Sequence, residues 1–340
     1  MNIQRVNSLN VPPLEPKLSY IGLDSWMNFV RDMYGHPVHR FTAHDGGRPL
    51  GALSLLEVKH PVFGHYLATA PFGSYGGFAY ENQAARDLLV DEARRLAEDI
   101  NAEYVSLRFD DAASPPPDGW VEHPVYFTYL IDLSATPEDL LKRFSSDHRN
   151  HIRKSFKKGH SIRFGRLELL DDAYEAIARS MHELGSPYHA KRYLRRMAES
   201  LGDTLQFAVT YDARGKITGG GVFIYQGRTI FNLHANVLRF ARSSYAGEFL
   251  YWSVIERAMQ NGCTTFDLGR SLAGSGNDIF KSKWAPEKRK LAYWYWLAPG
   301  RELPSLNQKN PKFQFAIAVW RRLPHFAVRA FGHYIIRGLV

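Results

Sequence analysis

Cysteine is nearly absent from this chain of 340 residues. Its single cysteine, Cys263, leaves no partner for an intramolecular disulfide and no basis for a zinc site built on cysteine pairs. Because Cys263 begins a short apolar segment, we expect a small buried side chain rather than a nucleophile. A lone thiol agrees with a reducing compartment.

Long apolar runs are also missing. No stretch of 18 apolar residues occurs, and the opening MNIQRVNSLNVPPLEPKL lacks the apolar centre of a secretory signal. We therefore expect a cytoplasmic protein. The segment from Phe313 onward alternates apolar and cationic residues. It suits either an interfacial helix pair at the inner face of a membrane or a helical tail packed on the body.

Several common site motifs are excluded. No GxGxxG precedes a helix and an acidic residue, so a dinucleotide fold has no support. Phe280 stands where a P-loop needs glycine before its lysine. No Ser-His-Asp order and no metal cluster can be defended, since His148 and His151 lie among cations that disfavour a bound dication. We expect no metal and no tightly bound cofactor.

The composition is that of a folded, basic protein. Hydrophobic residues make up 45% and aromatics 14%, which excludes disorder, and the length fits two domains. The net charge of +9 favours polyanionic partners such as RNA, nucleotide-sugar phosphates or anionic lipid. Solubility charge spread over the surface remains the alternative.

The order of predicted elements repeats. Two strands around a turn at Asp45, a third strand, a long helix and a strand at Tyr104 recur around Asp212 and Thr264. This similar spacing predicts two copies of one α/β unit with a mixed sheet. The expected domains are residues 1–135, a basic connector at 136–160, residues 161–300, and a cationic amphipathic tail at 301–340, with residues 1–20 as a loosely held lead-in.

The segment Gly262–Trp284 is the most informative of the chain. It reads as a buried strand at Thr264–Leu268, a glycine-rich turn, and a short helix capped at Asn277 or Asp278. A glycine-rich turn that leads into a helix gathers free N–H groups and suits an anion or a developing oxyanion. Strand, turn and helix with glycine is also a common structural arrangement.

The motif FDLGRSLAGSGNDIFKSKW resembles the C-terminal signature of the FemAB-related group of GNAT-like proteins, and is closest to members found with PEP-CTERM/exosortase and exopolysaccharide loci. The segments PFGSYGGFAYE, SSDHRNHIRKSFKKG, ELGSPYHAKRY and NPKFQFAIAVWRRLP are similar to the same group. The likeness covers most of the chain. It implies two tandem GNAT-like domains of the acyl-CoA N-acyltransferase fold.

The resemblance implies acyl transfer from a carrier, with aminoacyl-tRNA favoured, to an amine on a cell-envelope precursor. The acceptor would belong to peptidoglycan or to an exopolysaccharide. Lys281 matches the lysine of the F-K-x-x-[FW] motif, which implies that it stabilises charge at the reaction centre. Phe280 and Trp284, beside it in the motif, are candidates for substrate binding. At the strand end, Asp267 is a candidate to accept a proton and Arg270 to bind phosphate. Alternatively, the two pair and stiffen the turn.

Three further residues are candidates for substrate binding. Tyr75 lies in the SYGG loop of the first unit, where an acceptor site is expected by position. Arg149 and Arg153 in the connector are one helical turn apart and can hold a phosphate between them. A solvated basic helix face explains these two arginines equally well.

Two other functions stay open. An acyl-CoA-dependent N-acyltransferase needs a glycine-rich pyrophosphate loop before its long helix, and Tyr245 replaces the required glycine in the segment from Arg242 to Gly247. A non-catalytic module that binds a glycan or a lipid-linked intermediate is the third interpretation. The presence of Lys281 argues against it.

Overall fold

The computed structural model describes residues 1–9, 11–110, 115–123, 126–304 and 317–340. The chain divides into two compact units. Unit 1 comprises residues 1–128, 289–305 and 337–340, and unit 2 comprises residues 129–288 and 306–336.

The helices range from 7 to 17 residues in length. In chain order they are α1 (Glu15–Gly22), α2 (Asp24–Tyr34), α3 (Gln83–Asp99), α4 (Pro137–Arg143), α5 (Ser146–Phe156), α6 (Leu170–Leu184), α7 (Lys191–Leu201), α8 (Ala246–Gln260), α9 (Gly276–Ser282) and α10 (His325–Ile336). Within the described ranges no helix has both the length and the apolar character needed to cross a membrane.

The strands form two sheets. In chain order they are β1 (Asn2–Val6), β2 (Val38–Asp45), β3 (Arg48–His60), β4 (Gly64–Ala68), β5 (Phe78–Tyr80), β6 (Tyr104–Phe109), β7 (Trp120–Glu122), β8 (Tyr126–Asp132), β9 (Ser161–Gly165), β10 (Leu205–Tyr211), β11 (Ile217–Gln226), β12 (Thr229–Val237), β13 (Thr265–Asp267), β14 (Ser271–Leu272), β15 (Glu287–Lys290) and β16 (Ala292–Leu297).

The sheet of unit 1 has the strand order β1-β2-β3-β4-β6-β16-β7, with β5 paired to β3. Strands β2, β3 and β4 are antiparallel neighbours, and β4 then pairs in parallel with β6. A parallel pair needs a crossover, which α3 supplies. Its apolar residues, from Ala85 to Ala97, pack on the sheet together with Trp294 of β16.

The second sheet repeats this order as β9-β10-β11-β12-β13-β8-β14. Strands β10, β11 and β12 are antiparallel, and α8 crosses over to β13, which is parallel to β12. The predicted duplication of a mixed α/β unit is therefore confirmed. Strand β8 pairs with β13 in the second sheet as β16 pairs with β6 in the first, and both pairs are antiparallel.

The N-terminal segment differs from the expected loose lead-in. Strand β1 pairs with β2, and α1 is buried along much of its length. Leu9, Val11, Leu14 and Leu18 pack with Ala52 and Ala79 into one cluster. The prolines and polar residues of this end predicted a loose segment, but the apolar side chains between them are buried, and their burial holds the segment on the sheet.

The units also divide the chain differently from the expected domains. The segment at 136–160, expected as a connector, forms α4 and α5 of unit 2, with a break between them at Phe144 and Ser145. Strand β16, expected in the second domain, lies in the sheet of unit 1. Pairing between strands distant in sequence carries no local signal, which explains the difference.

Candidate functional site

Strand β13 brings Asp267 to the carboxyl end of the second sheet. The strand lies between β12 and β8, and the Asp267 side chain is almost fully buried. The Gly269 N–H donates to its Oδ1 over 2.7 Å. Gly269 has a φ of +72°, a left-handed conformation that glycine adopts without strain, and the chain turns sharply away from the sheet there.

The Asp278 side chain stabilises the glycine-rich turn and does not cap helix α9. Helix α9 begins after Ser275, whose Oγ accepts from the Asp278 N–H, so the cap is two residues before Asn277 and three before Asp278, the two expected caps. The Asp278 carboxylate accepts from the Tyr129 hydroxyl at 2.6 Å, the Gly274 N–H at 2.7 Å and Lys288 Nζ at 3.0 Å. These donors hold the pKa of Asp278 well below its usual range.

Lys281 points inward from α9 to the end of β13. Its Nζ donates to the carbonyl oxygens of Gly269 at 2.8 Å and Arg270 at 2.9 Å, and the side chain is 7% exposed. Burial lowers the pKa of Lys281 to about 7, while the negative charge of Asp267 opposes this shift. Both protonation states are therefore populated near neutral pH.

Asn232 holds the same backbone segment from the neighbouring strand β12. Its Nδ2 donates to the Leu268 carbonyl at 3.3 Å and to the Tyr251 hydroxyl at 3.0 Å. Together with Lys281, it places a side-chain donor on each of three consecutive carbonyls, from Leu268 to Arg270. Sequence reasoning did not identify Asn232, although a polar residue in the otherwise apolar start of β12 was an available signal.

The pairing between strands β12 and β13 ends beside this segment. The parallel pairing covers only Thr229–Phe231 of β12, and the strand continues to Val237. Its register with β11 skips Leu233, which marks a β-bulge. Beyond residue 231, β12 continues without a paired residue of β13 in the described ladder, because β13 ends at Asp267.

The aromatic residues of the motif differ in exposure. Trp284 is fully buried and contacts Phe144, His148 and Tyr251, with ring centroids 4.5–5.7 Å apart. Its expected contact with substrate is therefore replaced by a packing role. Phe280 is half-buried and packs edge-on against Tyr251 at 5.0 Å.

The other predicted residues lie at three places. Arg270 is exposed at the end of the β13 segment, adjacent to the carbonyls that Lys281 binds. Arg149 donates to the Phe144 carbonyl, and Arg153 is exposed one turn further along α5. Tyr75 lies half-buried in unit 1. The described structure of unit 2 thus joins Asp267, Arg270, Phe280 and Lys281 in one segment. Arg149 is linked to this segment through Phe144, whose backbone carbonyl accepts from Arg149 and whose ring contacts Trp284.

The start of α8 is closed by aromatic and acidic side chains. Tyr245 precedes the helix with a φ of +60°, which is strained for a residue other than glycine. The ring of His151 stacks on it at 4.7 Å. Glu248, in the first turn, is nearly buried, and its negative charge disfavours a phosphate at this helix start.

A metal-binding cluster is not found within the described ranges, where no three histidine, cysteine or carboxylate side chains converge in a suitable way. Cys263 is buried, as expected, and burial raises the pKa of its thiol. At the tail, α10 is packed in part, since Arg329 stacks on Tyr174, while Phe331 and Tyr334 are exposed. Both expectations for the tail therefore stay open.

Residues 142–282 match the family described as "Acetyltransferase (GNAT) domain". This match spans α5, the strands from β9 to β14 and Lys281, and it supports an acyltransferase domain of GNAT type in this region. No curated protein sequence matches the chain.

Solved structures share the fold over most of the chain. FemX is 13% identical, with a TM-score of 0.69 over 87% of this chain and 97% of that one. A tandem GNAT protein from the clavulanic acid biosynthesis pathway is 15% identical, with a TM-score of 0.55 over 88% and 100%. L-PGS from Bacillus licheniformis is also 15% identical, with a TM-score of 0.55 over 90% and 97%. The predicted tandem GNAT-like fold and the FemAB-like resemblance are confirmed.

Proposed function

We propose that the chain transfers an aminoacyl or acyl group from a carrier to an amine on a cell-envelope precursor or an exopolysaccharide-linked acceptor. The proposal rests chiefly on one observation. A buried lysine, Lys281, with a pKa of about 7 lies at the carboxyl end of β13 in a GNAT-type domain. Titratable groups shifted in this way are typical of catalytic sites.

The geometry of Lys281 suits proton transfer at an ester. A charged ammonium has three N–H donors, and two of them bind Gly269 and Arg270. The third is then available to donate to the oxyanion that forms at the ester carbonyl. When the lysine is neutral, its lone pair takes that position and can accept a proton.

The proposed reaction balances without another reactant. The acceptor nitrogen attacks the ester carbonyl carbon, an N–C bond forms, and the bond to the carrier oxygen breaks. The proton lost by the amine ends on the carrier oxygen, and Lys281 is the group we assign to carry it. Asp267, buried beside Lys281, keeps part of the lysine population charged.

Aminoacyl-tRNA is favoured over acyl-CoA as donor. A pyrophosphate at the start of α8 would meet the carboxylate of Glu248 and the stacked pair of Tyr245 and His151. Each of these disfavours a bound diphosphate. The basic exposed face of α5, which includes Arg153, suits an RNA backbone. Support also comes from the Fem resemblance, because Fem-family ligases use aminoacyl-tRNA.

The neighbours in fold also guide the choice of acceptor. One is described as a putative lysylphosphatidylglycerol synthetase from Agrobacterium fabrum, 12% identical with a TM-score of 0.56. That name concerns aminoacylation of an envelope lipid. Together with FemX, it supports a cell-envelope precursor as acceptor. The transfer would then take place in the cytoplasm or at the inner face of the membrane.

The first experiment measures donor binding. A mixed aminoacyl-tRNA pool and acetyl-CoA are titrated into the wild type and Lys281→Met at two salt concentrations, by filter retention and calorimetry. We expect salt-sensitive retention of tRNA and no heat with acetyl-CoA. Saturable acetyl-CoA binding would instead favour the acyl-CoA-dependent acyltransferase. Binding of neither donor would favour the non-catalytic glycan or lipid-intermediate module.

The second experiment measures transfer. Labelled aminoacyl-tRNA is incubated with an amino sugar and with a lysine-containing peptide as acceptor probes. The expected result is an amide product that forms with the wild type and is lost in Lys281→Met. Binding of the donor without any product on either class of amine would contradict the proposed reaction.

A further inference from the structure

The turn between β14 and α9 projects from unit 2. Gly274 has a φ of +73°, and a Cβ added at Gly274 or at Gly276 would have no atom within 4 Å. Ala273 is exposed as well. The tip of this turn is therefore open backbone and small side chains surrounded by solvent, directly before the helix that carries Lys281.

Two large aliphatic side chains are exposed at the base of this tip. Leu272 is 44% exposed and Ile279 is 61% exposed. Backbone hydrogen bonds from Ser275 to Leu272 and from Ile279 to Ser275 hold the two within one compact turn. Single exposed aliphatics are ordinary on a protein surface. A pair of them on one projecting turn, next to a candidate active site, indicates a surface that contacts an apolar phase.

Cations flank the aliphatic pair. Arg270 is exposed on one side and Lys283 on the other. Asp278 is the only acidic residue in the sequence between them, and it is buried among Tyr129, Gly274 and Lys288. The exposed part of this segment is therefore aliphatic at its centre and positive at both ends. An interfacial membrane contact has this pattern.

We propose that residues 270–283 dock on an anionic lipid surface. Leu272 and Ile279 would enter the boundary between headgroups and acyl chains, while Arg270 and Lys283 meet the headgroup phosphates. This inference rests on the proposed function and deepens it. Lys281, on the same short helix, faces inward, so the site would open next to the lipid and receive an amine on a lipid-linked acceptor.

A second copy of the chain fits this surface less well. An isologous contact would place the same cations, Arg270 and Lys283, opposite each other with no exposed acid in the segment to neutralise them. An anionic lipid surface carries the charge opposite to that of these two side chains. The charge of the segment thus favours lipid over self-association.

Vesicle flotation tests the proposal. The full chain is mixed with vesicles of phosphatidylcholine alone, or with 30% phosphatidylglycerol added, without donor or acceptor. The variants are Leu272→Ser/Ile279→Ser and Arg270→Gln/Lys283→Gln. Val62→Ser serves as the matched control, because Val62 is a 75% exposed aliphatic in unit 1. A tail variant, Phe331→Ser/Tyr334→Ser, tests the other exposed apolar pair.

We expect the wild type to float only with the anionic vesicles. The aliphatic double variant should bind at least about tenfold more weakly, since each buried aliphatic contributes roughly that factor. The charge variant should lose several-fold in affinity, and Val62→Ser should match the wild type. Circular dichroism and urea unfolding confirm that each variant is folded.

Three results would overturn the proposal. The wild type could fail to float with anionic vesicles. The tail variant could abolish flotation while the aliphatic variant retains it. Sedimentation without lipid could show self-association that Leu272→Ser/Ile279→Ser removes, with no flotation. Because flotation requires no catalysis, failure of lipid docking is scored separately from failure of transfer.

Discussion

The Nζ of Lys281 lies 2.8 Å from the carbonyl oxygen of Gly269, across the turn that separates α9 from β13. This contact ties the helix to the end of the strand. A second hydrogen bond, to the Arg270 carbonyl, uses another position of the nitrogen. The two bonds together fix the direction of the third N–H, or of the lone pair when the lysine is neutral. The lysine is therefore both a structural tie and the candidate catalytic group.

Replacement of Lys281 tests its catalytic role. Lys281→Met keeps most of the volume and removes the charge and the donors. If the lysine stabilises the oxyanion as a single preorganised donor does, kcat should fall about 10²–10³-fold. The measurement is amide formation from labelled aminoacyl-tRNA. Lys216→Met, at an exposed turn of unit 2, is the control and should retain activity.

Stability should depend on pH through the same lysine. Burial lowers the folded-state pKa of Lys281 to about 7, below its usual 10.5. Between these values the unfolded chain binds more protons than the folded chain, so the free energy of unfolding contributed by Lys281 rises with pH from about 7 to about 10. Urea unfolding at pH 7, 8 and 9 should show a steeper rise in the wild type than in Lys281→Met. Equal slopes would mean that the lysine titrates normally.

The packing role of Trp284 predicts a large stability effect. Trp284→Ala should lower the free energy of unfolding by about 3–5 kcal/mol, because it opens a cavity among Phe144, His148 and Tyr251. Ile279→Ala, on the same short helix but 61% exposed, should change it by less than about 0.5 kcal/mol. Similar urea midpoints for the two variants would contradict the burial of Trp284.

Unit 1 contains a buried carboxylate whose partners predict acid sensitivity. Burial alone would raise the pKa of Glu57, but hydrogen bonds from Lys59, His39 and His65 outweigh it and lower the pKa to about 2. The stability from Glu57 is therefore present above about pH 4.5 and is lost as the pH falls toward 2.

Glu57→Gln tests this dependence. The neutral side chain weakens charge-assisted hydrogen bonds, and we expect unfolding at pH 6 to require about 1.5–3 kcal/mol less. The difference between the variant and the wild type should shrink at pH 3. A constant difference across this range would show that the carboxylate charge is not responsible. Glu81→Gln, whose partner Arg48 is exposed, is the control and should have a small effect.

The sequence determined the elements of both units well, because alternating and helical periodicities are local. The strand that begins at Tyr104 and the two strands around Asp212 lie where the repeated order predicted them, and a long helix precedes the last strand of each repeat as expected. Helix α7 and strand β8 were not predicted. Helix α7 is strongly amphipathic, and the spacing of its buried residues, from Tyr193 to Leu201, was an available signal for a helix.

The motif around Lys281 also followed from the sequence, through its resemblance to a family, and with it the fold and the class of reaction. Tertiary structure alone decided what surrounds the lysine. Its pKa depends on burial, and its two carbonyl partners lie eleven and twelve residues earlier in the chain. Asn232 and Tyr129 join the site from β12 and β8, which pair with β13 over long sequence separations. Such contacts form only when the sheet assembles, so no local pattern records them.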